Sequence, residues 1–260
     1  MAFVSYGLTI GIRTNEPRML SHIAKLLPPG CRPSQGSRVD RLYSLVVGGP
    51  ATGLGLRRFT LLYADAMRLA RSLEVPEVLR ALESDVQLYV AASARRRLFV
   101  HAGVVGWRGR AIVIPGRSMS GKSTLVAALI EAGATYYSDE YAVFDDQGRV
   151  HAYPRALSLR DDSAAGRTDW PTPGLGRADG PLPLGLLAVT RYRPGARWSP
   201  RPLSPGRAGI ELLTHTVAAR RQPARALSVL SRALAGTIAL KGARGEAADV
   251  ADAVIDAVSG

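Results

Sequence analysis

Residues Gly116-Arg117-Ser118-Met119-Ser120-Gly121-Lys122-Ser123 match the pattern G-x-x-x-x-G-K-[ST] in full, and Thr124 adds a second hydroxyl. No other feature constrains the chain as tightly, because this pattern does its work only where a strand runs into a glycine loop that opens a helix. The flanks supply both. Residues 111–114 are an apolar strand, while Leu125, Val126, Leu129 and Ile130 recur at helical spacing, and Gly133 stands where a C-terminal cap glycine belongs. The glycines let successive amide N–H groups converge on phosphate oxygens above the positive end of the helix. In such a loop Lys122 bridges the β and γ phosphates, and Ser123, with Thr124 as its substitute, gives a hydroxyl oxygen to Mg²⁺. The expected cofactors are ATP and Mg²⁺, held by the whole stretch from Gly116 to Thr124.

The rest of the chain reads as α/β. Val4, Tyr6, Leu8, Ile10 and Ile12 alternate with small or polar residues, which predicts one half-buried strand over 3–12. Met19, Leu20, Ile23, Leu26 and Leu27 share a helical face that should stop before Pro28-Pro29-Gly30. Strands follow over 42–47 and 58–62, around the Gly-rich turn 48–55. Pro76 suits the first turn of a helix with Leu79, Leu82, Val86 and Val90 on one face, ending near Arg95-Arg96-Arg97 and bridging into a second unit. The expected division is a small α/β N-terminal domain over 1–95 and a phosphate-loop domain over 96–260.

The second unit should open with a strand over 98–105, turn at Arg108-Gly109-Arg110 and enter the strand before the loop. Beyond the loop helix, 135–144 reads as one strand, 145–148 as a turn, 149–153 as its return and 184–192 as a buried strand. Helices are expected over 209–217, 223–235 and 246–258, with a short strand over 237–240. Residues 161–183 are rich in Gly, Pro, Asp and Arg and carry Trp170, so a long loop able to close over a substrate is expected there.

Composition removes several function classes. No apolar run approaches the roughly eighteen residues that would span a bilayer, so no membrane partner is expected. The stretch Met1-Ala2-Phe3-Val4-Ser5-Tyr6 lacks a basic region ahead of a hydrophobic one, and Cys31 is the single cysteine, so a reducing cytoplasm is the expected compartment. The formal charge of +13 invites a nucleic-acid reading. Of the 34 basic residues only Lys25, Lys122 and Lys241 are lysine, and the arginines are scattered rather than gathered in an arm. With no helix-turn-helix signature, zinc-ligand spacing or aromatic platform beside them, nucleic acid is not the expected partner.

A phosphate loop does not name a reaction. Ser138-Asp139-Glu140 interrupts an apolar stretch with two adjacent carboxylates. At a strand kink or end, one of them can hold metal-bound water while the other faces a substrate hydroxyl; a surface salt-bridged pair is the alternative. His101, on the strand before the loop, is either a hydrogen-bonded strand histidine or a group close to the phosphates.

His101-Ala102-Gly103-Val104, the loop Gly116 to Ser123 and Ser138-Asp139-Glu140 resemble, in order and spacing, the catalytic domain of HPr kinase/phosphorylase. The loop also resembles that of phosphoenolpyruvate carboxykinase. The resemblance covers roughly 98–160, with a looser match to the C-terminal helices. It implies a P-loop kinase domain of the HPr kinase / phosphoenolpyruvate carboxykinase type. Within it Asp139 would be the base that takes the proton from an attacking serine, Lys122 and His101 would act at the phosphates, and Ser123, Glu140 and Asp139 would be the metal-side residues. Arg155 and Arg160 could neutralise the γ-phosphate or dock the substrate, with a plain surface arginine as the alternative for either.

Two departures stand out. Glu140 replaces a second aspartate of the family, and Ser158 stands where the family carries a glutamate ahead of the arginine matched by Arg160. The Gly-rich segment tied to the phosphorylase reaction and to hexamer contacts is not evident, so neither the reverse reaction nor an HPr substrate is expected. The chain resembles more closely the short relatives that act as kinases tailoring ribosomal peptides, lasso peptides among them. The leading expectation is an ATP- and Mg²⁺-dependent serine kinase acting on a peptide or small protein. A small-metabolite kinase and a non-catalytic ATP-binding sensor or partner protein stay open, as does a homo-oligomeric state.

Overall fold

The computed structural model describes residues 1–49, 58–117, 120–160, 167–169, 178 and 180–259. The expected turn at 48–55, the middle of the expected phosphate loop (Ser118 and Met119) and most of the expected loop 161–183 with Trp170 lie outside the described residues, wholly or in part. The chain divides into two compact α/β units, Met1–Arg96 and Arg97–Gly260.

The first unit holds β1 (Ala2–Ser5), β2 (Leu8–Thr14), α1 (Met19–Ala24), β3 (Arg32–Pro33), β4 (Arg41–Val46), β5 (Thr60–Ala64), β6 (Met67–Ser72) and α2 (Val75–Ser93). Among the described residues its strands run in the order β3-β1-β2-β4-β5-β6, with β2 and β4 parallel and the other neighbours antiparallel. The single strand predicted over 3–12 is instead a hairpin. Tyr6 and Gly7 take φ of 48° and 83°, the left-handed pair of a two-residue turn whose twist suits two strands. The turn changes the parity of the pattern. Phe3 and Ser5 point inward opposite Ile10 and Leu8, while Val4 is exposed. A tyrosine at positive φ is rare, so nothing in the local sequence announced the turn.

Two further strands, β3 and β6, were not anticipated. The helix α1 is shorter than the apolar face suggested, because Lys25 and Leu26 close onto His22 and Ile23 in tighter three-residue steps. The helix α2 carries Pro76 in its first turn and buries Val78, Leu82, Val86 and Val90, and it packs on β5 and β6. It is part of the first unit, packed against its sheet.

The second unit contains β7 (Leu98–Trp107), β8 (Arg110–Pro115), α3 (Lys122–Glu131), β9 (Thr135–Ser138), β10 (Tyr141–Phe144), β11 (Val150–His151), β12 (Ser158–Arg160), β13 (Arg167–Asp169), β14 (Leu184–Tyr192), β15 (Arg201–Pro202), α4 (Pro205–Thr214), α5 (Pro223–Leu234), β16 (Ile238–Arg244) and α6 (Ala248–Ser259). Among the described residues its main sheet runs β11-β10-β7-β8-β14-β16-β15, with β9 also on β7, and β12 and β13 form a separate ribbon. The strands β8, β14 and β16 are parallel, so their carboxyl ends share one edge.

Both faces of this sheet are covered, which explains its near-continuous apolar runs. Val105, Ile112, Ile114, Leu186 and Ala188 face α3 and α6, where Leu125, Leu129, Val250 and Val254 meet them. Val104, Val113 and Leu187 face the other way, towards Leu212, Val229 and Leu230 of α4 and α5. The strand predicted over 135–144 is broken in two. Both halves pair with β7, and Asp139 and Glu140 sit in the break. Among the described residues no helix is long and apolar enough to cross a membrane.

Candidate active site

Strand β8 ends at Pro115 and hands the chain to Gly116, whose N–H donates to His101 O at 3.3 Å. A Cβ on Gly116 would stand 2.6 Å from Ser120 Oγ, so a side chain there would push the Ser120 hydroxyl aside. Gly121 opens α3 with φ of 78°, and a Cβ on it would meet Arg244 Nη2 at 2.5 Å. Conformation and close approach both demand glycine at this point. No side-chain cap is described at Gly121, so the first-turn N–H groups of α3 keep their donors and the positive end of the helix faces the loop. Lys122 Nζ donates to Arg117 O at 2.7 Å across the loop.

Opposite the loop, the break between β9 and β10 presents the two acids. Ser138 Oγ accepts the N–H groups of Glu140 (3.1 Å) and Tyr141 (3.0 Å), a side-chain-made turn that bends the strand. Ala102 N–H donates to Glu140 O at 3.2 Å, which keeps the bent segment on β7. Asp139 is buried, and its Oδ2 accepts from Ser123 Oγ at 3.2 Å. Its Oδ1 lies 3.1 Å from the Tyr136 hydroxyl, which also lies 2.8 Å from Arg155 O. Glu140 is half-exposed, with Oε1 3.9 Å from His101 Nδ1.

Loop lysine, loop serine, both acids and His101 are thus gathered on one side of the loop. The electrostatics are mutual. Burial lowers the pKa of Lys122, while Glu140 and Asp139 work to raise it. Burial and then Lys122 lower that of His101, against a backbone bond with Glu140. The His101 ring also rests on Tyr141, with centroids 4.7 Å apart.

The ribbon strand β12 carries Ser158 and Arg160 and runs beside α3, but the side chains of both lie outside the described residues. Sequence reasoning missed His215. The segment after α4 takes over the edge of β7 where β8 leaves it, with a bridge between Val100 and Thr216 and with His101 N–H donating to His215 O at 2.9 Å. His215 and Gly116 therefore flank His101 through backbone bonds. Burial and then Lys122 hold the His215 imidazole below its ordinary pKa, with Glu211 opposing. No local pattern marks this residue, since its place depends on a tertiary pairing.

The donor set fits a triphosphate with Mg²⁺. A tightly packed glycine turn with Gly121 in the left-handed region, an uncapped helix start and a partly desolvated lysine suit phosphate oxygens. Among the described residues no three His, Cys, Asp or Glu converge on one point. Mg²⁺ asks for less than that, one or two carboxylates beside phosphates and water, and Ser123, Asp139 and Glu140 would be its protein neighbours.

No protein-family model and no curated protein matches the chain. Among solved structures the chain is similar to the Hpr(Ser) kinase/phosphatase from Coxiella burnetii, at 14% identity over 62% of this chain and 93% of that one, with a TM-score of 0.35. A likeness this loose decides nothing about the chemistry, which rests on the residues of this chain.

Proposed function

We propose that this chain is an ATP- and Mg²⁺-dependent kinase that transfers the γ-phosphoryl group to a serine hydroxyl of a peptide or small protein. The observation that carries the proposal is the 3.2 Å hydrogen bond from Ser123 to Asp139, which joins the metal-side hydroxyl of the loop to a buried carboxylate on the neighbouring strand break. Phosphoryl transfer asks a protein mainly for positioning and charge neutralisation. The loop N–H groups and Lys122 would hold the β and γ phosphates, with Lys122 exchanging Arg117 O for phosphate oxygen. Bound Mg²⁺ would supply neutralisation of the charge shared by the β and γ phosphates. Asp139 would orient the acceptor hydroxyl and take its proton as the new O–P bond forms and the bond to the β,γ-bridging oxygen breaks, releasing ADP. His101 and His215, held neutral, would line the γ-phosphate side without adding charge that competes with Lys122.

Incubating the purified chain with labelled ATP, Mg²⁺ and a panel of serine-containing peptides tests the reading. Transfer by the wild type, lost in Lys122→Ala with an unchanged melting curve, is the expected result. Tight ATP binding with no transfer to any hydroxyl acceptor would instead make the chain a nucleotide-binding partner.

A further inference from the structure

A cavity of about 400 Å³ opens beside the phosphate loop, between Ser120, Gly121 and Thr124 on one side and the carboxyl ends of β14 and β16 on the other. Its size falls in the range of small-molecule sites, about 300–1,000 Å³. The crevice outside the carboxyl ends of parallel strands is where open α/β sheets bind ligands. Sheet order gives the cavity its meaning. The acids and His101 belong to the β7 side of β8, whereas this cavity lies on the β14 and β16 side. A triphosphate held by the loop has two ends, a reacting phosphoryl group and a nucleoside. With the acids on one side of β8, the other side is left for the nucleoside.

The walls have matching chemistry. Tyr192, at the end of β14, is 44% exposed and offers an aromatic surface, with the Arg244 guanidinium 5.6 Å from its ring centroid. Its hydroxyl donates to Glu246 Oε1 at 2.8 Å. Arg244 is itself 2% exposed; Nη2 donates to Gly121 O at 2.7 Å and Nη1 to Gly245 O at 2.9 Å, while Nε has no partner among the described residues. A buried cation thus ties the loop glycine to the cavity wall. A flat aromatic suits a nucleobase, and a carboxylate suits ribose hydroxyl donors.

We propose that this cavity binds the nucleoside of the triphosphate, with the base on Tyr192 and the ribose hydroxyls on Glu246, while Arg244 sets the loop against it. The proposal rests on the reading of Gly116 to Ser123 as the triphosphate site. Calorimetric titration with MgATP and, separately, with magnesium tripolyphosphate distinguishes the two.

The wild type should bind ATP at least about tenfold more tightly than tripolyphosphate. Tyr192→Ala should lose roughly tenfold in ATP affinity and less than about twofold for tripolyphosphate, and Tyr192→Phe, which keeps the ring, should restore ATP binding to within about twofold. Lys122→Ala should weaken both ligands. ATP binding no tighter than tripolyphosphate, or unchanged in Tyr192→Ala, would place the nucleoside elsewhere and overturn the inference while leaving the phosphate loop intact. A wild type that binds neither ligand would remove the loop reading and this inference together.

Discussion

The four-residue strand β10 has a buried aspartate just outside each end, and the two are held in opposite ways. Asp145, 6% exposed, closes the turn after the strand. Its Oδ1 accepts the N–H groups of Gln147 and Arg149 at 2.9 and 3.0 Å, and its Oδ2 lies 3.1 Å from Arg149 Nε and 2.9 Å from His151 Nε2. The turn is clamped to α5, where a Cβ on Gly148 would stand 2.5 Å from Ala233 N and Arg225 reaches Asp146 at 3.0 Å. Asp139, 7% exposed, accepts a hydrogen bond from the Ser123 hydroxyl at Oδ2, and its Oδ1 lies 3.1 Å from the Tyr136 hydroxyl. Burial alone therefore does not mark a carboxylate for chemistry. Backbone and cationic donors fix a charge in place, whereas hydroxyl donors are neutral and can rotate away, leaving the charge to act on a proton or a metal.

The sharpest way to break this contrast is to neutralise each carboxylate in turn. Asp139→Asn should cut phosphoryl transfer by about 10³-fold, the scale expected when a positioned base is lost, with little change in melting temperature. Parallel transfer assays and melting curves on both Asn variants check it. If Asp139→Asn destabilised the fold as much as Asp145→Asn, Asp139 would be a structural anchor and the contrast would fail.

The second effect is one of stability. Burial works to raise the pKa of Asp145, but His151, the Arg149 and Gln147 amides and the Arg149 charge outweigh it and hold the carboxyl at about 2, below its ordinary 3.8. Between those values the unfolded chain binds more protons than the native one. The stabilisation is thus complete above about pH 5 and is lost as the pH falls through 3.8 towards about 2. At neutral pH it amounts to roughly 2 kcal/mol. Urea denaturation at neutral pH should show Asp145→Asn less stable by that order, and the gap from wild type should close in acid. A gap independent of pH would mean that shape, not charge, holds the turn.

The sequence announced the two ends of β10 unequally. Glycine, lysine and serine at fixed spacing made the strand-to-helix turn at Gly116 to Ser123 legible without any tertiary information, and the apolar stretch Leu184–Val189 marked the strand β14. The acids at 139 and 140 were visible as an oddity. The break that presents them was legible only as one possible kink, because Ser138 bends the strand while both halves stay on the same neighbour and strand-like residues flank the bend on both sides. The hairpin at Tyr6-Gly7 was hidden for a related reason, since the alternation resumed after the turn with its parity reversed. His215 and Arg244 were out of reach altogether. Each sits at the end of a regular element with no local motif, and only the pairing of distant strands carries it to the loop.

His215 supplies the smallest and most specific test of the contrast, because it belongs to the side where charge is left available. Burial and Lys122 hold its imidazole below the ordinary histidine pKa of 6.5, and the same two causes act on His101. Both rings are neutral at pH 7 and gain a proton only as the pH falls below 6.5, which puts new positive charge beside Lys122 and the phosphates. Triphosphate affinity should therefore rise modestly on acidification, about two- to fivefold at low salt, the scale of one partly exposed charge interaction. His215→Gln keeps the carbonyl that accepts the His101 N–H and removes one of the two titrating rings. Its affinity should show roughly half that pH dependence with an unchanged melting curve. An unaltered pH profile would mean that His215 contributes only its backbone to β7, and that the available charge on this side of the strand belongs to Lys122, Asp139 and Glu140 alone.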